Sequence, residues 1–137
     1  MANFSNYAES GILNWLFRTN TNNYARPLNL SFALCTNVPV KTSTGASCYE
    51  LPNANGYARV NLGAPANALF TDITVNGPGG SGYISNVSAI SFPAATADWG
   101  MVSGIAVVDS GTYGTGNIIV YAALATPRDV KNGKRNV

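Results

Sequence analysis

The chain has 137 residues, 46% of them hydrophobic and only 10% charged, with eight Lys and Arg against six Asp and Glu for a net charge of +2. That length suits one domain, residues 1–137, built on a single core. The net charge is too small to argue for nucleic acid, and the absence of histidine removes the commonest general base, metal ligand and triad member.

Ordinary soluble domains carry about 25% charged residues. Here Asn, Ser, Thr and Gly take their place, which suits a surface covered by neighbours in an assembly; a plain neutral polar surface is the alternative. The N-terminus, Met1 to Tyr7, has neither the basic nor the apolar region of a secretory signal. No apolar run approaches the roughly 20 residues that span a bilayer. The expectation is a protein made in a cytoplasm that stays soluble or joins a particle there, with no membrane partner.

The first element is a helix over residues 5–18. Asn6 can cap it with Glu9 three residues on, and Glu9 suits the positive end of the helix. Ala8, Ile12, Trp15 and Leu16 form one apolar stripe, widened by Leu13 and Phe17. A stripe so broad on a short helix must pack on something large, its own sheet or a neighbouring subunit. The polar run Thr19 to Asn23 ends it.

Residues 27–125 read as a β domain. Leu28, Leu30, Phe32 and Leu34 alternate with Asn29, Ser31, Ala33 and Cys35, a half-buried strand with the first set inward. Residues 36–55, with Pro39, Gly45 and Pro52, form a long excursion of the kind that is usually functional. Gly56 to Leu62 is the next strand, with Ala58, Val60 and Leu62 inward and Tyr57, Arg59 and Asn61 on the other face. Phe70 to Val75 is a candidate short strand, and Asn76 to Gly82 a glycine-rich loop. Ile90 and Phe92 share a face of a strand that ends at Pro93. Val102 to Val108 and Ile118 to Leu124 flank a Gly-rich turn and read as an antiparallel hairpin. The fold class is mainly β: an antiparallel sandwich or barrel of five to seven strands with one N-terminal helix. Residues 126–137 read as a basic tail.

No catalytic, cofactor or metal site emerges. The acids Glu9, Glu50, Asp72, Asp98, Asp109 and Asp129 are scattered with no spacing that favours a catalytic pair. Gly79 to Gly82 lacks the Lys-Ser/Thr ending of a phosphate loop. Asp98-Trp99-Gly100 could bind a sugar or cation. The structural reading is stronger: Asp98 caps the bend, Trp99 fills the core edge and Gly100 supplies an unusual backbone angle. Cys35 and Cys48 lack metal-ligand spacing and are expected as free thiols in a reducing cytoplasm; a disulfide would close a loop of about 14 residues. Tyr113, between Gly111 and Gly114, is a candidate partner contact, as is Phe4. Arg128, Lys131, Lys134 and Arg135 are half of all basic residues. They can meet an acidic partner surface or stand solvated.

The run Ile90 to Asp109, with Phe92-Pro93, Ala95-Thr96-Ala97-Asp98-Trp99-Gly100 and Gly104-Ile105, resembles the "FP.ATADWG...GI.D" core of a family of small phage virion proteins. Asn6-Tyr7-Ala8-Glu9, Leu28 to Thr36, Glu50 with Gly56-Tyr57-Ala58-Arg59-Val60, and Tyr121 to Leu124 followed by Pro127, Val130, Asn132 and Gly133 follow the family's order over residues 6–133. Members are labelled tail-fibre-like, and some act as capsid decoration proteins. The resemblance implies a virion structural protein. With no organised catalytic or cofactor chemistry, a charge-poor surface and a small net charge, the expectation is a non-enzymatic, oligomeric protein assembled in the host cytoplasm, without cofactor or nucleic acid. A decoration or cement protein on the major capsid protein is the first reading. A tail-fibre or tail-tip module contacting the host is the alternative, and a carbohydrate-active tail enzyme a third.

Overall fold

The structure, a computed structural model, describes residues 3–18, 26–70 and 86–132. The elements follow in the order β1 (Asn3–Phe4), α1 (Asn6–Phe17), β2 (Leu30–Cys35), β3 (Val60–Gly63), β4 (Gly100–Val108) and β5 (Ile118–Val130). The five strands form one antiparallel sheet in the order β1-β5-β4-β2-β3. The mainly β class with a single N-terminal helix is as expected. The glycine loop, and all but Phe70 of the candidate strand from Phe70 to Val75, lie outside the described residues; Phe70 itself makes one isolated bridge with Asn86.

The β4–β5 hairpin forms because two β-branched runs flank a turn that closes on itself. Asn117 donates its backbone N–H to Asp109 Oδ1 at 2.7 Å and its amide to Oδ2 at 3.2 Å. Further along, Val102 faces Arg128 while Gly104 faces Ala123, so Leu124 to Pro127 bulge out opposite Ser103. Pro127, which has no N–H to give a ladder, falls inside that bulge. Residues 126–130, expected in the tail, are the end of β5.

Strand β2 is covered on both faces. Leu34 joins a cluster with Leu51, Tyr57, Phe92, Ala95, Trp99, Val102 and Val130. Ala33 and Cys35 join the other, with Cys48, Ala106, Val108, Ile118 and Tyr121. The sequence expectation of one inward set is therefore corrected: Ser31, Ala33 and Cys35 are wholly buried, and Leu28, expected inside, is 90% exposed just before the strand. Small side chains read as outward when they in fact let a covering segment approach closely. Much of that cover is irregular chain, supplied by residues 36–59 and 90–99.

The segment expected as a strand to Pro93 has no strand geometry. Ile90 and Phe92 still point into the first cluster, while Pro93 is exposed. The largest correction concerns the Gly56–Leu62 run, whose strand begins only at Val60. Tyr57 and Arg59 are buried and Ala58 is exposed, the reverse of the expected faces. A charged residue turns inward only when its charge and hydrogen bonds are met there, and Arg59 has that provision.

Candidate interaction surface

Arg59 donates through all of its N–H groups. Nε meets Glu50 Oε2 at 2.9 Å and Nη2 meets Glu50 Oε1 at 2.8 Å and the Gly45 carbonyl at 3.1 Å. Nη1 meets the carbonyls of Ser110 at 2.8 Å and Thr115 at 2.9 Å. The guanidinium has five donors, so the set is complete. Tyr57 donates its hydroxyl to Glu50 Oε2 at 2.6 Å and accepts the Leu34 N–H at 3.1 Å. Burial and the adjacent carboxylate push the Tyr57 hydroxyl well above its ordinary pKa.

This cluster fastens the long excursion and the β4–β5 turn to the sheet. Gly45 closes the contact: a Cβ there would collide with the Thr115 carbonyl, and its own N–H meets the Gly116 carbonyl at 2.9 Å. The carboxylate, phenol and guanidinium are spent on one another and on backbone. Sequence reading missed this arrangement, although it left a signal. In a chain so poor in charge, Glu50 is the lone acid between Glu9 and Asp72, and Arg59 the lone base between Lys41 and Arg128.

Tyr113 belongs to the same assembly. Its hydroxyl donates to the Leu51 carbonyl at 2.6 Å and its ring stands edge-on to Tyr57 at 6.2 Å. It folds back onto the core and is not displayed at the turn tip. Trp99 is buried, edge-on to Tyr57 at 5.5 Å, and donates its indole N–H to the Asn55 carbonyl at 2.7 Å. Gly100 has φ +83°. Asp98 does not cap its own bend: it accepts the Asn132 N–H at 2.8 Å and lies 3.7 Å from Lys131, clamping the end of β5.

The basic residues are less free than their number suggests. Arg128 is exposed on β5, and Lys131 pairs with Asp129 at 2.9 Å on the surface. Lys134 and Arg135 lie outside the described residues. Among the described residues no group of three or more His, Cys, Asp or Glu could hold a metal, and no helix is long and apolar enough to cross a membrane. A cleft lined by Leu62, Leu69, Asn86 and Ile90 has a volume of about 80 Å³, against roughly 300 Å³ or more for a small-molecule site.

The surface that stands out is α1. Ser5, not Asn6, is its N-cap: Ser5 Oγ accepts the Ala8 N–H at 3.2 Å. The buried Ser5 hydroxyl donates to the Ile118 carbonyl, its N–H meets the Ile119 carbonyl at 3.1 Å, and the Asn6 N–H meets the Lys41 carbonyl at 2.9 Å. Lys41 also pairs with Glu9 at 2.8 Å. The first turn is thus pinned to β5 and to the excursion by polar contacts.

Beyond Ala8, which is fully buried, and Ile12, which is half-buried, the apolar residues of the stripe are exposed. Leu13 is 56%, Trp15 67%, Leu16 55% and Phe17 78% exposed. Leu13, Leu16 and Phe17 sit at i, i+3 and i+4 and share one face; Trp15 stands on the flank that Ala8 begins. With about 150–250 Å² per aromatic side chain, the four expose on the order of 500 Å², near the upper end of apolar patches on monomers. Phe4, on β1 and half exposed, lies just before the helix. It ends an apolar row that crosses the sheet, Phe4–Val120–Val107–Phe32–Val60.

Comparison with curated proteins gives no significant match. The family described as podophage GP4 fiber I protein gp80 matches residues 3–136, almost the whole chain. The protein therefore belongs to the podophage GP4 fiber I protein gp80 family, a family of phage virion structural proteins.

Proposed function

We propose that this protein is a tail-fibre or tail-tip module of a podophage particle, with α1 packed against neighbouring virion subunits. The observation that carries the reading is the match over residues 3–136 to a family described as a fiber protein. The uncovered apolar helix supports it, because a surface of this kind costs free energy in water until a neighbour covers it. The role is non-enzymatic: the buried carboxylate and guanidinium are committed to holding loops, and the exposed carboxylates of Glu9, Asp98 and Asp129 are engaged by Lys41 and Lys131.

A capsid decoration role would use the same helix and the same neutral faces, but the fiber family favours the tail. Copy number separates the two. Quantitative mass spectrometry of purified particles should find a handful of copies per virion. Hundreds of copies would overturn the tail assignment in favour of the capsid shell.

A further inference from the structure

Two buried thiols lie in one apolar cluster at the root of the excursion. Cys35 ends β2 and bridges Glu50 in an isolated antiparallel pair. The Leu51 N–H meets the Leu34 carbonyl at 3.0 Å and the Thr36 N–H meets the Tyr49 carbonyl at 2.8 Å. Cys48 lies just beyond this pairing, with Tyr49 at φ +57° turning the chain between them. Cys35 and Cys48 are 0% and 1% exposed and share one apolar cluster, and the Cys48 thiol donates to the Gly45 carbonyl at 3.9 Å. Both are free. The nearness of the two thiols lowers the Cys48 pKa and, together with burial, raises that of Cys35.

We propose that Cys35 and Cys48 are an intramolecular redox pair that a peroxide converts to a disulfide, locking the loop that anchors α1. The thiolate of Cys48 attacks a peroxide oxygen; the O–O bond breaks, Cys48 becomes a sulfenic acid and hydroxide leaves. Cys35 then attacks the Cys48 sulfur, the S–S bond forms, the S–O bond breaks and a second hydroxide leaves. The protons from the two thiols convert both hydroxides to water. Overall, two thiols and one hydrogen peroxide give one disulfide and two waters, with both sulfurs oxidised and the peroxide reduced. Hydrogen peroxide is small enough to reach a thiol through local opening of a loop.

The closed loop contains one of the two anchorages of α1, the other being that of Ser5 on β5. Lys41 holds the Asn6 N–H and the Glu9 carboxylate, and Gly45 holds Arg59 and the Gly116 carbonyl. A cross-link across its base restricts the unfolded chain. In the cytoplasm the pair stays reduced; after lysis the medium is oxidising. That setting rests on the virion reading, whereas the chemistry rests on the thiol pair alone.

The test uses the purified full chain, reduced and then treated with hydrogen peroxide. Denaturing alkylation, intact mass and peptide mapping should show loss of two hydrogens, no alkylatable thiol, and a Cys35–Cys48 linked peptide. Tm should rise by roughly 10 °C and fall back with a dithiol reductant. Cys35→Ala and Cys48→Ala should each lose the Tm rise; the first should gain oxygen on Cys48, and the second should keep Cys35 as an alkylatable thiol. Should either variant fail to fold, mapping of the unaltered chain still decides. Two alkylatable thiols after peroxide, oxygen added without a cross-link, or a bridge between chains would overturn the proposal. A cross-link with unchanged Tm would overturn the locking role. Failure on the purified chain leaves the virion reading standing. Thiol counts in released particles test the setting separately: fewer free thiols than in infected cells support it, and equal counts overturn it.

Discussion

Arg59 grips both carboxylate oxygens of Glu50, at 2.9 Å through Nε and 2.8 Å through Nη2, with the two side chains only 1% and 5% exposed. A bidentate ion pair this deep repays its desolvation only when the remaining hydrogen-bonding groups are met. Here three backbone carbonyls and the Tyr57 hydroxyl complete the set. One side chain thereby fixes the excursion, the start of β3 and the β4–β5 turn in a single arrangement.

Removing one partner should be costly. Arg59→Met leaves a buried carboxylate with only the Tyr57 hydroxyl as donor and takes the guanidinium from three carbonyls, and should destabilise by about 3–5 kcal/mol in urea unfolding. Glu50→Gln keeps an acceptor and should cost less. A double-mutant cycle on the two positions should show strong coupling; additive losses would contradict the pair as described.

Trp99 joins packing to a hydrogen bond. Trp99→Ala should cost about 3–5 kcal/mol, while Trp99→Phe keeps most of the ring and loses chiefly the bond to the Asn55 carbonyl, about 1–3 kcal/mol. At Gly100 a Cβ would meet nothing within 4 Å, so Gly100→Val should be destabilised by backbone strain at φ +83°, about 1–3 kcal/mol. Thermal or denaturant melts of the three variants check this order. An unchanged Tm for Trp99→Ala would make the residue a contact and not a core element.

These residues show what the sequence could and could not convey. The helix, the β4–β5 hairpin and the core position of Trp99 follow from local periodicity and turn chemistry, which act over a few residues. Burial of Arg59 depends on Glu50, held in an irregular loop on the far side of a chain reversal, and alternation alone placed it outside. Tyr113 looked displayed because its glycine neighbours said nothing of the distant Leu51 carbonyl that receives its hydroxyl. For α1 the periodicity was a true signal of a stripe. It did not say which molecule covers that stripe.

The helix face should matter for assembly and not for folding. Leu13→Ser, Leu16→Ser and Phe17→Ser combined remove apolar surface that contributes little to the subunit's own core, so Tm should change little. Light scattering should show the unaltered chain self-associating or binding its virion neighbour, and the triple variant failing to do so. A stable contact of this kind buries about 1,200–2,000 Å² in total. A triple variant that enters particles as well as the parent would contradict the assignment of α1.

The C-terminal charges should act at long range and weakly. Lys134→Ser with Arg135→Ser leaves the Asp98–Asn132 clamp and the Lys131–Asp129 pair in place, so the domain should keep its Tm. Attachment to particles should weaken at low salt and converge with the parent at high salt, where a Debye length of about 3 Å at 1 M screens the interaction. Equal attachment at both salts would make these residues a solvated end.

The measurement that bears most directly on the central claim is the position of the protein on the particle. Antibody or gold labelling of a tagged copy, viewed by electron microscopy of intact virions, should place the label on the tail and leave the head bare. Label distributed over the capsid shell would contradict the tail-fibre account.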